Sequence, residues 1–285
     1  MDNLSSRATL VSLNCSNWTG RCTDKDISQN IIIQHNADEH AGSFSKRLID
    51  KNYLKPINEI FSEARKYYKE NTLAWEEGKN RLLPSKKIKE FEDKMREYQV
   101  KLSYAVEEFV KHYDTYKQEA QTMLNGMYNE GDYPSSLEIK DKFQLKFFFD
   151  NISDPEDFRC EVSQELKDKI QNNIKQKTEE QYKYGLKRLT ERIFNVISHF
   201  NEKINEYNDN NNKRLYSSTL GNIEELVDIL PDLNFMNEPA ITEVIDSIQN
   251  EICRFDINQL KNDESARAQA VESSNKILKE LEGIY

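Results

Sequence analysis

From Ser85 to Met127 the chain has no proline, and its single glycine, Gly126, falls at the end. Apolar or aromatic residues recur at Ile88, Phe91, Met95, Tyr98, Leu102, Ala105, Phe109, Tyr113, Tyr116, Ala120, Met123 and Met127, every step three or four. That spacing holds one stripe on one side of an α-helix, so it predicts a single helix over about 85–127. At 1.5 Å per residue the helix is roughly 60 Å long. Such a rod is not stable alone, so another element has to cover the stripe. A second stripe through Leu166, Ile170, Ile174, Tyr182, Leu186, Leu189, Ile193, Val196, Phe200, Ile204 and Tyr207 predicts a helix of matching length over about 163–208. The two are expected to pack as a long antiparallel helical hairpin, a coiled-coil-like stalk. The second stripe thins from Lys177 to Gln181 and contains Gly185, where a bend or local loosening is expected.

Strand patterns surround these helices. Val11, Leu13 and Cys15 alternate with polar neighbours, and Trp18-Thr19-Gly20 follows as a turn. Phe143, Leu145, Phe147 and Phe149 alternate, Asn151 to Glu156 supplies turn chemistry around Pro155, and Phe158, Cys160 and Val162 alternate again. These segments predict a small antiparallel sheet capping one end of the stalk. Shorter helices are expected at 25–39 and at 55–72. Asn208 to Lys213 is a polar break and the expected boundary between an N-terminal region, 1–208, and a C-terminal helical region, 209–285. In the latter, one helix follows the cap candidates Ser218 and Thr219 and ends at Pro231. Others start near Glu238 and near Asp263. The expected fold class is thus mainly α with a small antiparallel β-sheet (α+β).

Composition narrows the function classes. Asp and Glu outnumber Lys and Arg by 50 to 40, for a net charge of −10. That balance weighs against a protein that coats nucleic-acid phosphates. No apolar run of transmembrane length and no secretory leader is read, so no membrane is expected, the location is cytoplasmic, and the four cysteines are expected as reduced thiols.

Cys15, Cys22, His35 and His40 give C-x6-C-x12-H-x4-H, the residue types that zinc prefers. The second and third gaps suit a zinc finger, and the first is too long. Cys15 shares a strand face with Val11 and Leu13, as a small core residue would. Cys160 and Cys253 read as core residues, and His112 and His199 as surface positions of the long helices. No phosphate-cradling glycine loop and no nucleophile–base arrangement is visible. No cofactor is expected, and a zinc-containing enzyme or module is the third-ranked reading. Basic clusters occur at Lys86-Lys87-Ile88-Lys89 and Lys183-Tyr184-Gly185-Leu186-Lys187-Arg188. Acidic residues follow each within a few positions, the pattern of an exposed helix face.

The segments LVSLNCSNWTGRCTDKDIS, EARKYYKENTLAW, NRLLP and FVKHYDTYKQEA resemble a family of unknown function encoded by phages and by integrating or conjugative elements. The resemblance covers roughly residues 4–165 and carries no catalytic motif. It implies lysine at the turn position that Cys22 occupies, which further weakens the zinc pattern. It also implies a bacterial host cytoplasm and a gene neighbourhood with MoxR- or CobS-like AAA ATPases and recombination functions. The expected role is non-catalytic: a self-associating or adaptor protein acting through its stalk, with protein partners that include itself or an AAA ATPase. The alternative is a DNA-metabolism or recombination accessory that binds DNA or a recombination enzyme.

Overall fold

A computed structural model describes residues 4–75, 80–154, 163–207 and 214–284. It is mainly helical with a small antiparallel sheet, as the stripes and alternations require. In chain order the elements are α1 (Leu4–Arg7), β1 (Ala8–Ser16), β2 (Arg21–Asp24), α2 (Lys25–Gln34), β3 (Phe44–Arg47), α3 (Lys55–Glu70), β4 (Leu73–Ala74) and β5 (Arg81–Pro84). They continue with α4 (Ile88–Leu124), α5 (Ser136–Asp141), β6 (Gln144–Asp150), α6 (Gln164–Glu206), α7 (Ser217–Leu233), α8 (Pro239–Glu251), α9 (Ile257–Asn262) and α10 (Glu264–Glu282).

The four-stranded sheet has the order β4-β5-β1-β6. Strand β1 runs antiparallel to β5, with Ala8 opposite Pro84 and Val11 opposite Arg81, and β4 pairs with β5 through Leu73 and Leu82. Leu10 and Val11 are both buried, so this part of β1 is covered on both faces. A separate two-stranded ladder joins β2 to β3, with Arg21 opposite Arg47 and Asp24 opposite Phe44. The expected 158–162 strand, the Pro155 turn and the 208–213 break lie outside the described residues.

The chain forms two compact units. One comprises 1–12, 68–91 and 148–285, and the other 13–67 and 92–147. Both long helices are present. From Glu92 onward α4 belongs to the second unit, whereas α6 belongs to the first and packs chiefly on α10, β4 and α7. The C-terminal helices expected from 209 onward share one core with α6: Leu186, Leu189, Ile193, Ile197 and Phe200 meet Leu220, Ile223, Ile248 and Ile277.

In the second unit the α4 stripe is covered by aromatic residues. Phe109 meets Trp18, Tyr113, Tyr116 and Phe143, and Tyr116 stacks on Tyr53 at 3.8 Å. The stripe ends one turn early. Leu124 is buried, Met123 and Met127 are exposed, and Asn125 leaves the helix with a φ of +46°. The turn after β1 depends on Gly20, whose φ of +64° suits glycine and whose missing side chain admits Ile49 and Leu54.

Helix α6 is helical throughout Lys177–Gln181 and Gly185. Gly185 answers a packing need. A Cβ there would lie 2.6 Å from the carbonyl oxygen of Ala74, so only glycine lets β4 seat against the helix. Helix α7 likewise passes Pro231 and continues to Leu233, because the buried Leu230 and Leu233 fix its last turn in the core.

Candidate interaction surfaces on helix α6

The four zinc candidates are scattered. Cys15 is half-buried on β1, where burial pushes its thiol up against the opposing pull of Arg65. Cys22 on β2 donates to Asp132 Oδ1 at 3.7 Å, and its thiol is also pushed up, by burial first and then by that carboxylate. His35 caps the C-terminus of α2 through its backbone N–H. His40 is 87% exposed, and its Nε2 lies 3.4 Å from the carboxylate of its neighbour Glu39. Among the described residues, no three His, Cys, Asp or Glu side chains are placed to share a metal ion. Cys160 lies outside the described residues. Cys253 is half-buried, and burial raises its thiol.

A buried polar cluster centres on Lys46, which sequence reading passed over. Only 6% of its side chain is exposed. Its Nζ donates to Asp24 Oδ2 at 2.8 Å and to the carbonyl of Met127 at 2.9 Å. Asp132 Oδ2 lies at ion-pair distance, 2.8 Å, but off the direction of a hydrogen bond. The Asp132 and Asp24 carboxylates hold the lysine protonated well above its ordinary range. Asp24 is held below the usual carboxylate range, first by Lys46 and then by the Ile27 amide that it caps. A lysine so neutralised is neither nucleophile nor base. It ties the β2–β3 ladder to the 127–132 segment.

Helix α6 carries the most unusual surface. Ser163 caps it by accepting from the amide of Leu166, and Glu165 in the first turn suits the positive end of the helix dipole. Its buried residues begin only at Tyr182 and continue through Leu186, Leu189, Ile193, Ile197, Phe200 and Ile204. Over Gln164–Gln181 no side chain is buried. Leu166 is 45% exposed, and Ile170 and Ile174 are partly exposed on the same side of the helix. Polar i,i+4 bonds from Gln164 to Asp168 and from Gln176 to Glu180 support this half.

The basic segment Lys183–Arg188 follows directly. Lys183, Lys187 and Arg188 are exposed and Tyr184 is half-buried. Arg188 pairs with Glu191 at 2.5 Å. Beside them two arginines close the C-terminal end of α3. Arg81 donates to Thr72 Oγ1 at 2.6 Å and to the carbonyls of Thr72 and Lys69, at 2.7 and 3.1 Å. Arg192 donates to the carbonyl of Glu70 at 3.0 Å. Burial lowers both guanidinium groups from the ordinary arginine range, and the neighbouring Arg192 and Arg188 charges add to the effect on Arg81. The other basic cluster is committed to structure, since Lys87 pairs with Glu90 and Asp232 at 2.8 and 2.9 Å. Among the described residues, no helix is long and apolar enough to cross a membrane.

No curated protein and no solved structure matches the chain. A family model described as a protein of unknown function (DUF3150) matches residues 6–258, a span that takes in both long helices and reaches α9. The chain therefore belongs to the DUF3150 family of proteins of unknown function.

Proposed function

We propose that the chain is a non-catalytic interaction protein of a phage or mobile element that self-associates through the first half of α6. The observation that carries this reading is the stretch Gln164–Gln181, a helix with an apolar stripe and no buried side chain. An amphipathic helix is stabilised mainly by what covers its apolar side. A second copy meets that need in an antiparallel, two-fold pair centred on Ile170. Leu166 then faces Ile174 of the second copy, and Glu165 faces its Lys175 with opposite charge. Burying a few partly exposed aliphatic side chains contributes on the order of 1 kcal/mol each, against an association cost of about 4 kcal/mol or more. The pair is therefore weak and its population follows concentration.

Light scattering after gel filtration, over a range of loading concentrations, tests this. The wild-type mass is expected to rise from 33.6 kDa toward a multiple of it. The Leu166→Lys, Ile170→Lys double variant is expected to stay at 33.6 kDa throughout. A wild-type monomer at every concentration overturns self-association. The adaptor form of the reading would then rest on a protein partner such as a MoxR- or CobS-like AAA ATPase, tested by co-purification of the two co-expressed proteins.

A further inference from the structure

The basic segment of α6 and the arginines at the end of α3 share one place. Tyr184, Arg188 and Arg192 follow one another at intervals of four along α6, which puts them on one side of the helix. Gly185 seats that part of α6 on Ala74, and Ala74 is the ladder partner of Arg81. Arg81 thereby comes close enough to feel the charges of Arg188 and Arg192.

Capping accounts for only part of what these arginines offer. The bonds of Arg81 use Nε and Nη2, and that of Arg192 uses one Nη1 proton. Among the described residues, Arg81 Nη1 and Arg192 Nε and Nη2 have no hydrogen-bond acceptor, and neither guanidinium has a carboxylate within ion-pair distance. Every hydrogen-bond acceptor they use is neutral, and the Glu70 carboxylate acts on Arg192 only from beyond ion-pair distance. Two half-buried cations with donors to spare, packed near a third, call for an oxyanion. Lys183 extends the positive charge along the exposed face, and the half-buried Tyr184, on the Arg188–Arg192 side of the helix, brings a ring of the kind on which bases stack. The sequence holds no glycine-rich loop to enclose a free nucleotide.

We infer that Arg81 and Arg192, with Lys183, Tyr184 and Arg188, form a phosphate-binding surface that receives the backbone of a single-stranded nucleic acid. The acidic remainder of the molecule confines contact to this face, so few phosphates are engaged and binding is salt-sensitive.

Fluorescence anisotropy of a labelled single strand of about 20 nucleotides, titrated with the full chain between about 50 and 200 mM salt, tests it. The wild-type protein is expected to bind at the low end, with affinity falling linearly in log salt. Lys183→Glu with Arg188→Glu, both at exposed positions, should weaken binding at least about tenfold and lower the salt slope by about two. Arg188→Lys should retain binding. Arg192→Gln, with its fold checked by circular dichroism, should lower the slope by about one. No binding at about 50 mM salt, or double-variant binding equal to wild type, overturns the proposal. So does inorganic phosphate that raises the melting temperature while the strand does not bind, which would mark a free-phosphate site. A polyglutamate peptide bound more tightly than the strand also overturns it, since the surface would then receive acidic protein segments.

Discussion

Two glycines and one lysine show how single positions carry different burdens. Gly185 and Gly221 both lie inside helices, where glycine costs about 1 kcal/mol relative to alanine. At Gly221 a Cβ would meet nothing within 4 Å, so Gly221→Ala should stabilise the protein by up to about 1 kcal/mol. At Gly185 the same atom would press on the Ala74 carbonyl at 2.6 Å, and a backbone group cannot step aside. Gly185→Ala should therefore destabilise by about 2 kcal/mol, the range for overpacked sites. Urea midpoints of the two variants decide it, and equal shifts of one sign would refute the contact. Lys46 makes a pH prediction. Asp24 sits below its ordinary range, so its stabilising pairing is present above about pH 3.9 and is lost as pH falls through the lowered value. Lys46 sits above its ordinary range, so its share is present below about pH 10.4 and is lost only as pH rises past the raised value. The stability gap between wild type and Lys46→Met should accordingly be flat near neutrality and close in acid. A gap that persists unchanged in strong acid would mean that Lys46 acts by packing alone.

Elements were legible in proportion to their local signals. The stripes over 88–124 and 164–206 survive as α4 and α6, and Glu238 and Asp263 do stand at helix starts. What covers each stripe was not legible, because heptad-like spacing declares a need for a partner without naming one. Strands β4 and β5 escaped notice since Leu73–Ala74 and Arg81–Pro84 are too short to alternate, and their strand character comes from pairing with β1. Lys46 escaped for a related reason: one charge in a polar stretch gives no sign that Asp132 will be brought to it from afar. Pro231 misled because its missing N–H was weighed without the core contacts that hold α7 to Leu233. The join that follows rests on Asn234, which is 4% exposed. Its Oδ1 accepts from the Glu238 amide at 2.8 Å, and its Nδ2 donates to Thr242 Oγ1 at 2.9 Å and to the Glu238 carbonyl at 3.2 Å. Truncation removes the acceptor of the part-buried Glu238 amide and two donors from the join, so Asn234→Ala should cost about 1 kcal/mol in denaturant unfolding. A loss within a few tenths of a kcal/mol of zero would show that packing of α7 on α8 sets the join by itself.

At the scale of the whole molecule, the contrast within α6 predicts how the chain behaves with concentration. The half from Tyr182 onward is locked by α10, α7 and β4, and its amides can exchange only when that core opens. The half before it rests on the Ser163 cap and on polar pairs worth about 0.2–0.5 kcal/mol each, too little to hold a helix of this length closed in water. In dilute solution, hydrogen exchange over Gln164–Gln181 should therefore be orders of magnitude faster than over Leu186–Ile204. If a second copy covers Leu166, Ile170 and Ile174, raising the concentration should slow exchange in the first half alone. Ile170→Lys should abolish that slowing and leave the second half untouched. Each opposite result has its own meaning. Slow exchange in the first half at every dilution would show that the chain itself covers the stripe, and the self-association reading would fall. Fast exchange at every concentration would leave the stripe open for a different protein. Protection that appears only when a single strand is added, with the light-scattering mass unchanged, would transfer the role of α6 to the phosphate-binding face beside it.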